Sequence, residues 1–173
     1  VVIGAGGLGH IGIQCLRAYT PAEIIVIDPS ERALALAGEL GADHTVQVDG
    51  TQRENVRELT DGRGVDSAID AVGMEAHATV VGRALQATKL LPDRIGALLQ
   101  AARSLRRGGT LSLSGVYVGF LPLLPIGELF DRQFTIRMGQ ANVKRWIKDL
   151  LPLLGDDDPL GTDDLVTHDL PLE

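Results

Sequence analysis

Apolar runs rich in valine and isoleucine alternate along this chain with longer stretches of helical period. Val1–Ile3 predicts a short strand leading into glycines, and Gly9–Tyr19 a helix stopped by Thr20-Pro21. Glu23–Asp28 reads as an apolar strand ending in an acid. Ser30 is placed to cap a helix over Glu31–Leu40, and Gly41 suits the left-handed position just beyond it. A third strand is predicted at Thr45–Val48 and a polar helix at Thr51–Thr60. Asp61-Gly62-Arg63-Gly64 makes the turn into a fourth strand, Val65–Val72.

After Gly73 the regularity weakens. Met74–Ala87 fits a helix, Thr88–Asp93 a loop or insertion, and Arg94–Leu105 a helix ended by Arg106-Arg107-Gly108-Gly109. Thr110–Ser114 predicts a fifth strand and Phe134–Met138 a sixth. Between them Phe120–Phe130 is apolar, carries prolines and has no clean period. Asn142–Leu154 reads as a helix, and Asp156-Asp157-Asp158 as loop before a short strand, Leu165–His168. Apolar strands separated by helices imply a parallel sheet covered on both faces. Right-handed crossovers make it doubly wound. The expected fold is therefore α/β, one domain over residues 1–173 with six parallel strands. Strands usually run about 5–6 residues, and Val1–Ile3 falls short of that. The chain is thus expected to begin inside an element.

Composition narrows the partners. Hydrophobic residues make up 45% of the chain, which excludes a disordered segment. A formal net charge of −7 argues against nucleic acid or anionic lipid as a partner. With aromatics at 3%, a base-stacking platform is not expected either. No apolar run approaches the roughly 18–20 residues needed to span a membrane, and no leader is recognised. Cys15 is the single cysteine, so no intrachain disulfide framework is available, and a cytoplasmic location is expected.

The candidate chemistry lies in Gly4-Ala5-Gly6-Gly7-Leu8-Gly9, a G-x-G-x-x-G run between a strand and a helix. Gly4 permits a sharp turn, Gly6 permits backbone to approach a pyrophosphate, and Gly9 permits the helix to pack closely on the sheet. N–H groups near Gly7 and Leu8 then face the phosphates at the positive helix end. Asp28 closes the second strand at the interval expected of an acid that accepts the ribose hydroxyls. Its charge selects NAD over NADP. A 2′-phosphate beside it would be repelled by about 4 kcal/mol per unit charge at 4 Å and an effective dielectric near 20. Arg32 is a candidate to offset part of that repulsion.

The segment from Val2 through Gly12, followed by Ile25-Val26-Ile27-Asp28, resembles the coenzyme domain of medium-chain, zinc-dependent alcohol dehydrogenases. So do Leu40-Gly41-Ala42-Asp43, Gly64-Val65-Asp66, Asp70-Ala71-Val72-Gly73 and Arg107-Gly108-Gly109-Thr110 through Tyr117. The resemblance implies a Rossmann fold. It also implies nicotinamide contacts around Val72, Gly73, Gly115, Val116, Gly139 and Gln140, and dimers paired through edge strands. Within that family, Gly73-Met74-Glu75-Ala76, the insertion before Arg94 and Arg137-Met138-Gly139-Gln140 look most like the glutathione-independent formaldehyde dehydrogenase branch. The family's catalytic zinc sits in a separate domain, and its ligands are not recognised in this chain. The resemblance implies an NAD-binding fragment of an alcohol or aldehyde dehydrogenase, truncated at both ends and itself without catalytic or metal-ligating residues.

Other residues have blander readings. Cys15 is expected to be a small core residue and Trp146 to pack its helix on the sheet. His10, His44, His77 and His168 are scattered, and Asp156–Asp158 lacks the spacing of a calcium loop. The competing reading from another class is a non-catalytic nucleotide-sensing module, which also uses a glycine loop and a strand-end acid. The Gly115-Val116-Tyr117 and Gly139-Gln140 segments favour the dehydrogenase.

Overall fold

Val2 and Ile3 are neighbours in sequence but belong to different cores. The computed structural model describes residues 1–72, 96–117, 124–155 and 157–162. Its strands are β1 (Val2–Ile3), β2 (Ile25–Asp28), β3 (His44–Gln47), β4 (Val65–Asp70), β5 (Leu105–Leu113) and β6 (Thr135–Met138). The helices are α1 (Gly7–Tyr19), α2 (Glu31–Glu39), α3 (Gln52–Leu59), α4 (Gly96–Ser104), α5 (Ile126–Asp131) and α6 (Val143–Leu150). Val2, Ile24 and Val26 pack with Ile13 of α1 and Leu34 and Ala37 of α2. Ile3, Ile25 and Ile27 pack on the other face with Val56 of α3, Leu98 and Ala101 of α4, and Leu129 of α5. Side chains alternate across a strand, so burial of both faces demands an unbroken apolar run. That is the physical reason β1 and β2 carry no polar residue before Asp28.

The strands form one parallel sheet in the order β3-β2-β1-β4-β5-β6. The chain moves outward from β1 through β2 to β3, then crosses back to β4 on the other side of β1. The gap between β1 and β4 is thus the topological switch point, where crevices open outside the carboxyl ends of the strands. The doubly wound α/β fold is as the sequence pattern implied.

Local signals explain several element ends. The Ser30 hydroxyl accepts from the Ala33 N–H at 3.3 Å and caps α2. Gly41 stands beyond its other end at φ +108°, a conformation with little penalty only for glycine. Asn142 caps α6 by accepting from the Arg145 N–H at 3.2 Å.

Elsewhere the structure corrects the sequence reading. Residues 106–109 do not separate a helix from a strand; β5 already begins at Leu105, directly after α4. Val65 pairs with Leu105 but Ser67 pairs with Thr110, so residues 106–109 bulge out of the ladder. Arg106 is held there by Asp66, whose Oδ1 accepts from Nε at 2.5 Å. Part of the aperiodic apolar segment is helical, as α5. α6 stops at Leu150, and a 3₁₀ turn, Leu151–Leu154, carries Pro152. α6 buries none of its residues, so Trp146 is not packed on the sheet. Cys15 is only half-buried, because α1 turns Gly9, His10, Ile13 and Gln14 inward instead. The readings at 74–87, 88–93 and 165–168, with Gly73, His77 and Asp156, lie outside the described residues.

Candidate functional site

The glycine run occupies the turn from β1 into α1. Gly4 has φ +90°, and its N–H donates to the Ile27 carbonyl at 2.8 Å, stitching the end of β1 to β2. A Cβ on Gly4 would lie 2.6 Å from Val72 Cγ2. One on Gly9 would lie 2.0 Å from the Gly4 carbonyl oxygen, so α1 rests directly on the turn beneath it. Gly6 and Gly7 differ: they are exposed, and nothing stands within 4 Å of where a Cβ would be. Leu8 is exposed beside them. No side chain caps α1 and no acid occupies its first turn. Its first N–H groups have no partner within the helix and the helix dipole is positive there. The open side of Gly6 and Gly7 is therefore a place where an anion fits.

Asp28 ends β2 beside this turn. Its Oδ2 accepts from the Ala5 N–H at 2.7 Å and its Oδ1 from the Ser30 N–H at 2.8 Å. The first bond ties the acid to the glycine loop itself, a link the sequence did not reveal. The carboxylate remains partly exposed, and each oxygen retains capacity to accept a further hydrogen bond. Arg32 is exposed on the first turn of α2. A crevice of about 530 Å³ is lined by Ile27 and Pro29, which flank Asp28 in sequence, with Gly4, Val72, and Gln52 and Arg53 of α3. Gln52 and Arg53 escaped the sequence reading, because nothing local marks a polar helix start as a crevice wall.

Across the switch point, β4 ends in Asp70, which is fully buried. Its Oδ1 accepts from the Val72 N–H at 2.9 Å, and its Oδ2 accepts from the Tyr117 hydroxyl. Its backbone carbonyl accepts from the N–H groups of Ser114 and Gly115, at 3.0 and 2.9 Å. Burial, and then the bond and charge of Asp70, push the Tyr117 phenol well above its ordinary range. The hydroxyl therefore keeps its proton and remains a donor. In the sequence Asp70 stands out only within Asp70-Ala71-Val72-Gly73, because the strand it closes is itself interrupted by Asp66 and Ser67. Val116 is exposed after Gly115, and Gly139 and Gln140 are exposed just beyond β6.

Because every strand is parallel, the ends of β1, β2, β4, β5 and β6 lie along one edge of the sheet. Gly4, Gly6, Gly7, Leu8, Gly9, Asp28, Val72, Gly115, Val116, Gly139 and Gln140 all follow or close those ends. Among the described residues no group of three or more His, Cys, Asp or Glu side chains is placed to hold a metal ion. No helix among them is long and apolar enough to cross a membrane.

A parallel sheet in this order, with a glycine turn under a helix N-terminus at the switch point, is the Rossmann-type architecture of coenzyme-binding domains. Residues 7–90 match the family model described as zinc-binding dehydrogenase. A zinc-type alcohol dehydrogenase-like protein of Bacillus subtilis is 30% identical over 176 residues, covering 99% of this chain and 46% of its own. An NAD-dependent alcohol dehydrogenase of Sulfolobus acidocaldarius is 51% identical over 77 residues, 43% of this chain and 22% of its own. The crystal structure of an alcohol dehydrogenase from Aeropyrum pernix superposes with a TM-score of 0.68 at 31% identity, over 88% of this chain and 38% of that one. In sequence and fold the chain is thus similar, over nearly its whole length, to zinc-type alcohol dehydrogenases. It spans less than half the length of these relatives.

Proposed function

We propose that residues 1–173 form the NAD-binding domain of an NAD-dependent, zinc-dependent alcohol or aldehyde dehydrogenase. The observation that carries this reading is Asp28. Its carboxylate is fixed by the Ala5 N–H at 2.7 Å beside the bare backbone of Gly6 and Gly7. A pyrophosphate on the α1 N-terminus puts the adenosine ribose within reach of that carboxylate, and its two hydroxyls donate to it. The adenine enters the crevice beside Pro29 and Val72. The nicotinamide half then runs along the strand ends marked by Val72, Gly115, Val116, Gly139 and Gln140.

Bound NAD supplies a hydride acceptor, and its reduced form a donor. The residues of this chain bind and orient it; none is assigned a catalytic role or a zinc ligand. In the intact enzyme the zinc is held by other residues and serves as Lewis acid toward a small alcohol or aldehyde. The formaldehyde-type branch is the substrate reading favoured by the 137–140 segment. A cytoplasmic location and a homo-oligomer paired through edge strands complete the proposal. Asp28 sets the coenzyme: its negative charge repels a 2′-phosphate, and Arg32 offsets that only in part.

Calorimetric or fluorescence titration with NADH and NADPH tests this. NADH is expected to bind more tightly, and Asp28→Ala to weaken NADH roughly tenfold, as loss of charge-assisted bonds implies, while narrowing the preference. Equal or tighter NADPH binding by the unmutated chain would overturn the coenzyme assignment.

A further inference from the structure

A buried acid at the end of a central strand needs partners, and among the described residues Asp70 takes them from two different segments. One carboxylate oxygen takes the Val72 N–H at 2.9 Å, fixing the turn after β4. The other takes the Tyr117 hydroxyl from the loop that follows β5, far away in sequence. Between them lie Ser114 and Gly115, whose N–H groups bond the Asp70 carbonyl. Segment 114–117 is thus held to β4 twice, by backbone at Ser114 and Gly115 and by the phenol of Tyr117. Val116, between the two attachments, is left exposed at the sheet edge.

The ring of Tyr117 packs against the core. A phenylalanine would serve that packing equally well, so the hydroxyl is not needed to fill space. What it adds is a directional, charge-assisted bond to a carboxylate that is wholly out of water. Such a bond favours one position of the loop, because conformations without it forgo a charge-assisted bond to a buried carboxylate.

We propose that Tyr117 and Asp70 are a positioning pair that holds loop 114–117 ready for the nicotinamide half of a bound dinucleotide, with the adenosine half independent of it. The pair touches neither coenzyme half directly; it acts through Gly115 and Val116. This inference rests on the coenzyme reading above. Removing the hydroxyl lets the loop leave its binding-competent position, and apparent affinity falls by the fraction of time it is away.

The test compares two ligands that share the adenosine and pyrophosphate but differ in the nicotinamide. NADH and ADP-ribose are titrated into the unmutated chain, Tyr117→Phe and Asp70→Asn, with thermal unfolding of each recorded alongside. Tyr117→Phe is expected to lose roughly tenfold in NADH affinity while ADP-ribose affinity stays within about twofold. Asp70→Asn retains a carbonyl acceptor for the Val72 N–H and is expected to show the same split, reduced in size. Equal losses for both ligands, or no loss for either, would overturn the positioning role. If the unmutated chain binds ADP-ribose and NADH equally, loop 114–117 does not serve the nicotinamide, and the inference fails while the adenosine site stands. If the unmutated chain binds neither, the coenzyme reading itself fails.

Discussion

At the scale of single residues, the glycines of the turn divide into two kinds that the motif alone does not separate. Gly4 and Gly9 are buried, and their missing side chains let backbone meet backbone or a packed neighbour. Gly6 and Gly7 face open space, so their missing side chains serve whatever binds there. Alanine at each position should therefore fail differently. Gly9→Ala places a carbon 2.0 Å from a carbonyl oxygen that cannot move without disturbing β1. A loss of about 3 kcal/mol or more in urea unfolding is expected. Gly6→Ala meets no clash, and Gly6 has φ −79°, which alanine adopts freely. Its stability should stay within about 0.5 kcal/mol of the unmutated chain. NADH affinity should nevertheless fall roughly tenfold or more, as the added methyl stands where a phosphate would approach. Similar melting losses for the two variants would show that the division is wrong.

At the scale of elements, legibility in the sequence followed burial. β1 and β2 were readable because both faces are covered, which forces a continuous apolar run. The cap at Ser30 was readable because it depends on residues within one turn. The bulge at residues 106–109 was not. Arg-Arg-Gly-Gly has the composition of a turn, and only pairing with β4, 40 residues earlier at Asp66, makes it part of a strand. The Asp70–Tyr117 pair was hidden likewise, its members being 47 residues apart. The glycine loop and Asp28 were legible because their chemistry fixes both residue type and spacing. Asp66 also gives the bulge a pH signature. Bonds from Arg63 and then Arg106 hold its carboxyl well below the usual carboxylate range. A carboxylate depressed in the folded state contributes stability above its unfolded value, about 3.9, and loses it as pH falls further. Its side chain is largely exposed, so solvent screening limits the contribution to at most about 1 kcal/mol. Asp66→Asn should thus be slightly less stable at pH 7, with the difference shrinking below about pH 4. Urea unfolding of both proteins across that range measures it; a gap that widens in acid would contradict the sign.

At the scale of the whole molecule, the sheet has two edges of unequal character. β6, at one end of the strand order, exposes Met138 at 68%, and neighbouring α5 exposes Phe130 at 85%. An edge strand is an available template for pairing with a second chain, and β6 carries only one exposed charge against it, Arg137. This is where the proposed homo-oligomer would form, through strands paired edge to edge. Both side chains are already in water in the single chain, so replacing them has little to cost the fold. Phe130→Lys combined with Met138→Lys should therefore leave the thermal midpoint nearly unchanged. If the edge is an interface, the same double variant should sediment as a monomer at concentrations where the unmutated chain self-associates. Like charges would then face each other across the two-fold axis of a dimer. Sedimentation as a single monomeric species by the unmutated chain at every concentration would remove the edge-strand oligomer from the proposal. Self-association that survives both lysines would move the contact to another face.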